Sequence, residues 1–109
     1  MKNKIINYFL CIFSLVLVIK FYNNELLLFI LLFILSIILL LLKKSKIELT
    51  LFIISGIFGP LAEIVSISSG AWTYSKISLL IVPLWLFPLW GIAAIFIKRL
   101  YDDIDFILK

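Results

Sequence analysis

The chain contains no histidine and a single cysteine, Cys11, among its 109 residues. Without histidine it lacks the commonest metal ligand and the usual general base at neutral pH. One cysteine cannot form an intrachain disulfide or a cluster of thiolate ligands. No glycine-rich phosphate loop and no nucleophile-elbow motif occurs. We therefore expect no metal site, no cofactor, and neither ATP-driven nor triad-type chemistry in this chain.

Charge is also scarce, at 15% of residues, whereas 65% are hydrophobic and the mean hydropathy is +1.29. An average soluble domain is about 45–50% apolar and about 25% charged. A fold of this size buries only part of its surface, so the excess apolar surface must face something other than water. This composition excludes an ordinary cytosolic domain, a disordered chain and a partner for nucleic acid.

Four apolar segments approach the length of about 20 residues that a membrane-spanning helix needs. They lie at residues 5–22, 26–42, 49–69 and 79–97. The links between them are short, and short links make consecutive helices antiparallel neighbours. The sequence predicts an all-α, four-helix integral membrane bundle that forms one domain over residues 1–109. No small-residue cleavage site follows the first segment, so we expect it to be retained.

The basic residues predict the orientation, because cytoplasmic loops carry an excess of Lys and Arg. Eight would lie on one side, namely Lys2, Lys4, Lys43, Lys44, Lys46, Lys98, Arg99 and Lys109, and only Lys20 and Lys76 on the other. We expect a multi-pass protein of the cell membrane with both termini in the cytoplasm.

Glycine, proline and tryptophan are few, and all of them fall between residues 56 and 91. Small or polar residues recur there at helical spacing, at Gly56, Gly59, Glu63, Ser66 and Gly70. Such a face lets another helix approach closely. The first segment shows a weaker stripe of Asn7, Cys11, Ser14 and Val18, which we expect to face the other helices.

Glu63 is the only ionisable side chain well inside a predicted span. A charge there costs about 2.5–3.5 kcal/mol, so the carboxyl is either neutral or faces a wet cavity or a polar partner. Two roles follow. Glu63 is a candidate catalytic acid, or it is a structural acid that ties the third helix to the fourth. Gly59 and Ser66 share its face and are candidate ligand-binding residues.

Aromatic residues follow Glu63 along the chain. Trp72 and Tyr74 come after the third segment, where they would form an interfacial belt or a lid over Glu63. The block Pro-Leu-Trp then occurs twice, ending at Trp85 and Trp90. All four aromatic residues are candidate ligand-binding residues.

The repeated prolines predict a fourth helix that is kinked or broken at Pro83 and Pro88. Irregular backbone at membrane depth is tolerated where it lines a cavity, although simple space filling is an equal alternative. We expect Trp85 to donate its indole N–H to Glu63.

These motifs resemble known membrane proteins over about residues 56–96. An acid seven residues before a glycine, followed by the Pro-Leu-Trp helix, resembles a family of uncharacterised small multi-span bacterial inner-membrane proteins. The pattern is more loosely similar to carotenoid-biosynthesis proteins of the bisanhydrobacterioruberin hydratase type. The matching residues are Glu63, Gly70, Tyr74, Val82 and Pro83.

The looser resemblance implies a chemistry. Hydration of an isoprenoid alkene begins with protonation, which a neutral Glu63 would supply. The aromatic faces of Trp72, Trp85 and Trp90 would stabilise the carbocation. A second acid–base group is missing from the chain, and a homodimer would supply it as a second Glu63.

Three functional hypotheses therefore stand. The first is binding or processing of an apolar membrane lipid or isoprenoid in a notch around Glu63. The second is a non-enzymatic membrane subunit that docks a partner helix or a second copy in that notch. The third is a small oligomeric carrier.

The unequal distribution of basic residues gives a topology prediction. A reporter fused after residue 109 should lie in the cytoplasm, and one inserted near Asn24 should lie outside. Activity of paired cytoplasmic and exterior reporters measures this. A C-terminal fusion that is active only outside the cell would contradict four spans with a cytoplasmic N-terminus.

Overall fold

The computed structural model describes residues 2–70 and 82–109 of the chain. Within these ranges it contains four α-helices and no strand, which confirms the all-α prediction. They are α1 (Lys2–Phe21), α2 (Glu25–Lys43), α3 (Lys46–Ser68) and α4 (Leu86–Leu108). The first three helices coincide with the first three apolar segments to within a few residues at each end.

Capping residues define both ends of α2 and the start of α3. The Asn24 side chain accepts from the backbone N–H of Leu27 at 3.2 Å, and Ser45 Oγ accepts from that of Glu48 at 3.2 Å. Both satisfy donors that a helix start leaves without partners. Lys44 closes α2 in the left-handed conformation, with φ 51°. Lys44 and Ser45 are adjacent, so they shorten the link between α2 and α3 and turn the chain back on itself.

α4 is the central helix, since it packs against α3 most extensively and also against α1 and α2, while α1 packs on α2. Arg99, in the C-terminal half of α4, contacts Glu48 at the start of α3 and Leu39 near the end of α2. α4 therefore runs antiparallel to α3 and parallel to α2, as an up-and-down bundle requires.

The contact between α3 and α4 depends on glycine. A Cβ at Gly59 would overlap the indole of Trp90, and a Cβ at Gly91 would overlap the ring of Phe52. At Gly56 a Cβ would lie 3.0 Å from the carbonyl oxygen of Phe87. The helices thus approach closely because these positions carry no side chain.

The small-residue face of α3 is shorter than predicted. Ser66 donates to the carbonyl of Ala62 in its own helix, at 3.1 Å, and makes no hydrogen bond to α4 in the described residues. α3 ends at Ser68, and Gly70 follows with φ +90°, a conformation that terminates helices and favours glycine. Of the five predicted positions, Gly56, Gly59 and Glu63 contact α4.

The start of α4 corrects the prediction for the fourth segment. Val82–Trp85 form turns in which the N–H of Leu86 bonds the carbonyl of Pro83 at 3.2 Å, and α4 begins at Leu86. The predicted departure from helix is thus present at Pro83. The break predicted at Pro88 is wrong, because Pro88 lies in the first turn, where a helix has no acceptor for its N–H. α4 also continues beyond residue 97, to Leu108.

Two helices, Glu25–Lys43 and Lys46–Ser68, are long and apolar enough to cross a membrane by length and composition. The apolar part of α1, Ile5–Phe21, is shorter. Large apolar side chains point outward on every helix, as Phe9, Phe58 and Phe106 do, at 64%, 63% and 76% exposure. Such an apolar exterior is unlike that of a soluble monomer.

The glycine contact yields a packing prediction. Gly59→Ala should destabilise the protein by about 1–3 kcal/mol, because overlap with Trp90 outweighs the roughly 1 kcal/mol gained in helix propensity. Thermal unfolding in mild detergent measures this. Ser66→Ala is the control, since it removes only a hydroxyl bonded within α3. A Gly59→Ala variant at least as stable as the wild type would contradict the packing argument.

Candidate functional site

A cavity of about 470 Å³ lies between α1 and α4 and extends to Glu63 on α3. Three of the predicted site residues, Glu63, Trp85 and Trp90, line it together. The remaining lining residues are Cys11, Ile12, Ser14, Leu15, Val18, Leu86, Leu89, Ile92, Ala93 and Phe96. The wall is almost wholly apolar, and Glu63 contributes the carboxylate.

Glu63 accepts a hydrogen bond from the indole Nε1 of Trp90. The expected donor was Trp85, so this part of the prediction is wrong. Trp90 stands one turn inside α4, on the side that faces α3, and the missing side chain at Gly59 lets its indole lie against that helix. Gly59 is one helical turn before Glu63, so an indole seated on Gly59 brings its N–H to the carboxylate.

The cavity opens through the side of the bundle. Ile12 and Leu15 line it and are still 58% and 55% exposed, and Ala93 is exposed as well. Trp85, in contrast, is buried at its inner wall. Among the described residues, the cavity is therefore open on the lateral surface, between α1 and α3.

Two polar residues of α1, Cys11 and Ser14, lie in the cavity wall. Ser14 Oγ donates to the carbonyl of Cys11 at 2.5 Å, and both residues are buried. Together with Val18 they form the part of the predicted α1 stripe that lines the cavity. Because the hydroxyl is used within its own helix, the α1 wall behaves as an apolar surface.

The other predicted site residues take different positions. Gly59 seats Trp90 and is not a lining residue, and Ser66 is not a lining residue either. Trp72 and Tyr74 lie outside the described residues, as does Lys76 of the topology prediction.

Sequence reasoning missed a buried ion pair at the opposite end of α3 and α4. The Nε and Nη2 atoms of Arg99 donate to the carboxylate of Glu48 at 2.8–3.2 Å, and Nη2 also donates to the carbonyl of Leu39 at 2.6 Å. Glu48 and Arg99 are 1% and 4% exposed. One guanidinium thus joins three helices. Arg99 is the only arginine in the chain. That rarity was the one feature of the sequence that could have pointed to it.

Weaker charge pairs surround this ion pair. Lys43 Nζ lies 3.7 Å from Glu48 and 3.4 Å from Asp102. Lys98 hydrogen-bonds Asp102 at 2.6 Å and holds the pKa of that carboxyl below its usual value. Tyr8 of α1 donates to Asp103 of α4. These contacts collect at the end of the bundle remote from Glu63, about 22 Å away at 1.5 Å per helical residue.

No protein-family model, curated protein or solved structure matches the chain. The resemblance to the hydratase type therefore stays a prediction.

The buried pair yields a stability prediction. Glu48→Gln should cost about 3–5 kcal/mol, because it leaves the Arg99 charge buried without its counter-ion. The double variant Glu48→Leu with Arg99→Met should lose less, since both charges are removed and apolar groups fill the space. Thermal unfolding in detergent measures both.

Asp105→Asn provides the matched control, because Asp105 pairs with Lys109 at the exposed end of α4. We expect a change of at most about 1 kcal/mol there. A double variant that is less stable than Glu48→Gln would refute the charge-burial argument.

Proposed function

We propose that this chain is an integral membrane protein that holds the apolar chain of a membrane lipid in the cavity between α1 and α4. The observation that carries the proposal is an apolar cavity of about 470 Å³ that opens sideways and has a carboxylate in its wall. This is the first of the three hypotheses from the sequence, limited to binding of the lipid without processing.

The exterior of the bundle supports a membrane location. α2 and α3 have the length and composition of spanning helices. Three lysines lie where α2 ends and α3 begins, namely Lys43, Lys44 and Lys46. The buried Glu48–Arg99 pair lies beside them. Between residues 49 and 62, α3 carries no charged side chain. In a bilayer the same outward apolar residues would face acyl chains.

The cavity has dimensions that suit a lipid chain. Ligand sites are commonly about 300–1,000 Å³. Its lining on α4 runs from Leu86 to Phe96, which is about 15 Å at 1.5 Å per residue. That distance is about half of a 30 Å hydrocarbon core. A lateral opening would admit a chain directly from the bilayer.

Processing of the ligand needs more than binding does. Hydration of an alkene would use Glu63 as the acid and the ring faces of Trp85 and Trp90 beside the cation. The described residues of the cavity wall hold no second carboxylate, and in this hypothesis a second copy supplies the base. Binding needs no such group, and it is the function we propose.

Filling the cavity should remove the ligand. We expect Ala93→Trp to lower the ratio of co-purified lipid to protein about tenfold, because a loss of about 1.4 kcal/mol in binding has that effect. Mass spectrometry of extracts from mild detergent measures the ratio. Ala62→Trp is the matched control, since Ala62 is exposed on α3 and does not line the cavity.

Equal lipid in the wild type and in Ala93→Trp would contradict binding in the cavity. If the wild type instead carries no lipid and Ala93→Trp converts a dimer to a monomer, the cavity docks a second copy. The hypothesis of a non-enzymatic subunit would then take first place.

A further inference from the structure

We infer that the cavity selects lipid chains by their length, and that Phe96 of α4 forms the end wall that limits the chain. This inference rests on the proposed lipid binding and specifies the class of chain that is held. It follows from the position of Phe96 at one end of the cavity and from the side chains that pack behind its ring.

The cavity ends at the same level on both of the helices that enclose it. On α4 the last lining residue before the buried Arg99 is Phe96, and on α1 the lining begins at Cys11. α1 is antiparallel to α4, because its short link makes it antiparallel to α2. In agreement, Tyr8 near the start of α1 donates to Asp103 near the end of α4. Cys11 and Phe96 therefore lie together at one end of the cavity.

Other side chains occupy the space behind the Phe96 ring. The ring of Tyr8 packs edge-on against it, with the ring centroids 5.8 Å apart and the planes at 76°. The hydroxyl of Tyr8 donates in turn to Asp103. Arg99, one turn beyond Phe96, is 4% exposed and is bonded to Glu48. Tyr8, Arg99 and Glu48 do not line the cavity, so Phe96 is an end wall that is supported from behind.

The end of the cavity next to Phe96 suits the tail of a lipid. Its lining is apolar, since Ile12, Ile92 and Ala93 lie there beside the Phe96 ring. The thiol of Cys11 is a weak hydrogen-bonding group and packs as a small hydrophobe. None of these five residues offers a charged group to a polar head. A lipid tail that follows α4 therefore ends at Phe96.

The distance to the end wall makes the fit selective. A shorter chain leaves empty space in front of Phe96, and unfilled space in an apolar site is costly. A longer chain meets the ring and has to bend out through the lateral opening beside Ile12. One missing or extra methylene changes binding in an apolar pocket by about 10–200-fold. A detergent micelle also accepts methylenes, so we expect a smaller effect in detergent.

A mixture of straight-chain alcohols that differ in steps of two carbons provides the test, because the head group is uncharged and only the chain varies. The mixture would be added to the protein in mild detergent. Mass spectrometry would measure the alcohols that stay with the protein after gel filtration, and micelles without protein would give the reference composition. For the wild type we expect one preferred length, enriched about fivefold over alcohols that are four carbons longer or shorter.

Two variants change the end wall in opposite directions. Phe96→Ala removes the ring and should lengthen the preferred chain by about two to four carbons. Cys11→Leu adds bulk at the same end and should shorten the preferred chain by about two carbons. Phe58→Ala is the matched control, because it removes the same ring from the exposed face of α3, outside the cavity, and should leave the preferred length unchanged. Cys11→Leu tests the inference even if Phe96→Ala fails to fold.

The outcomes separate the two proposals. If the wild type retains no alcohol above the level of the empty micelles, or if Ala93→Trp retains as much as the wild type, the proposed lipid binding fails. If the wild type retains alcohols in the same proportions as the micelles, binding stands and selection by length is overturned. An unchanged preferred length in a folded Phe96→Ala or Cys11→Leu variant also overturns it.

Discussion

The close approach of α3 and α4 at Gly59 is the constraint on which the site depends. A side chain at Gly59 would occupy the space of the Trp90 indole, and displacing the indole would break its hydrogen bond to Glu63. Gly91 works in the opposite direction, since its missing side chain admits the ring of Phe52 from α3. Each helix thus receives an aromatic ring from the other. α3 and α4 therefore form a closely packed pair, and the cavity lies between this pair and α1.

The Glu48–Arg99 ion pair sets the register of α4 along α3. Taking two charges out of water is expensive, and a buried pair is weak evidence for net stability. Its geometry is nevertheless specific, because sliding α4 by one turn of 5.4 Å along α3 would leave both charges buried and apart. The same slide would remove Trp90 from Gly59. A contact at one end of the bundle therefore positions the acceptor at the other.

The cavity exists because α1 packs on α2 and α4 and leaves Glu63 of α3 as the far wall. An apolar exterior alone would suit any membrane protein. A lateral opening next to the carboxylate of Glu63, which the Trp90 indole orients, is a more specific feature. The proposed binding of a lipid chain rests on this arrangement of residues, whereas the hydratase-type chemistry would need a further group.

The sequence by itself determined the four apolar segments, the short links that separate the first three of them and Glu63 as the exceptional side chain, because hydrophobic runs, short polar links and a lone acid are local properties. It also indicated the break at Pro83. Only the tertiary structure decided that Trp90 rather than Trp85 meets Glu63, that Pro88 is harmless in a first turn, and that Glu48 pairs with Arg99. These facts depend on where α4 begins and on the register of helices whose paired residues are 27 and 51 positions apart. No local pattern contains that register, since it is fixed by which side chains fit together across the two helices.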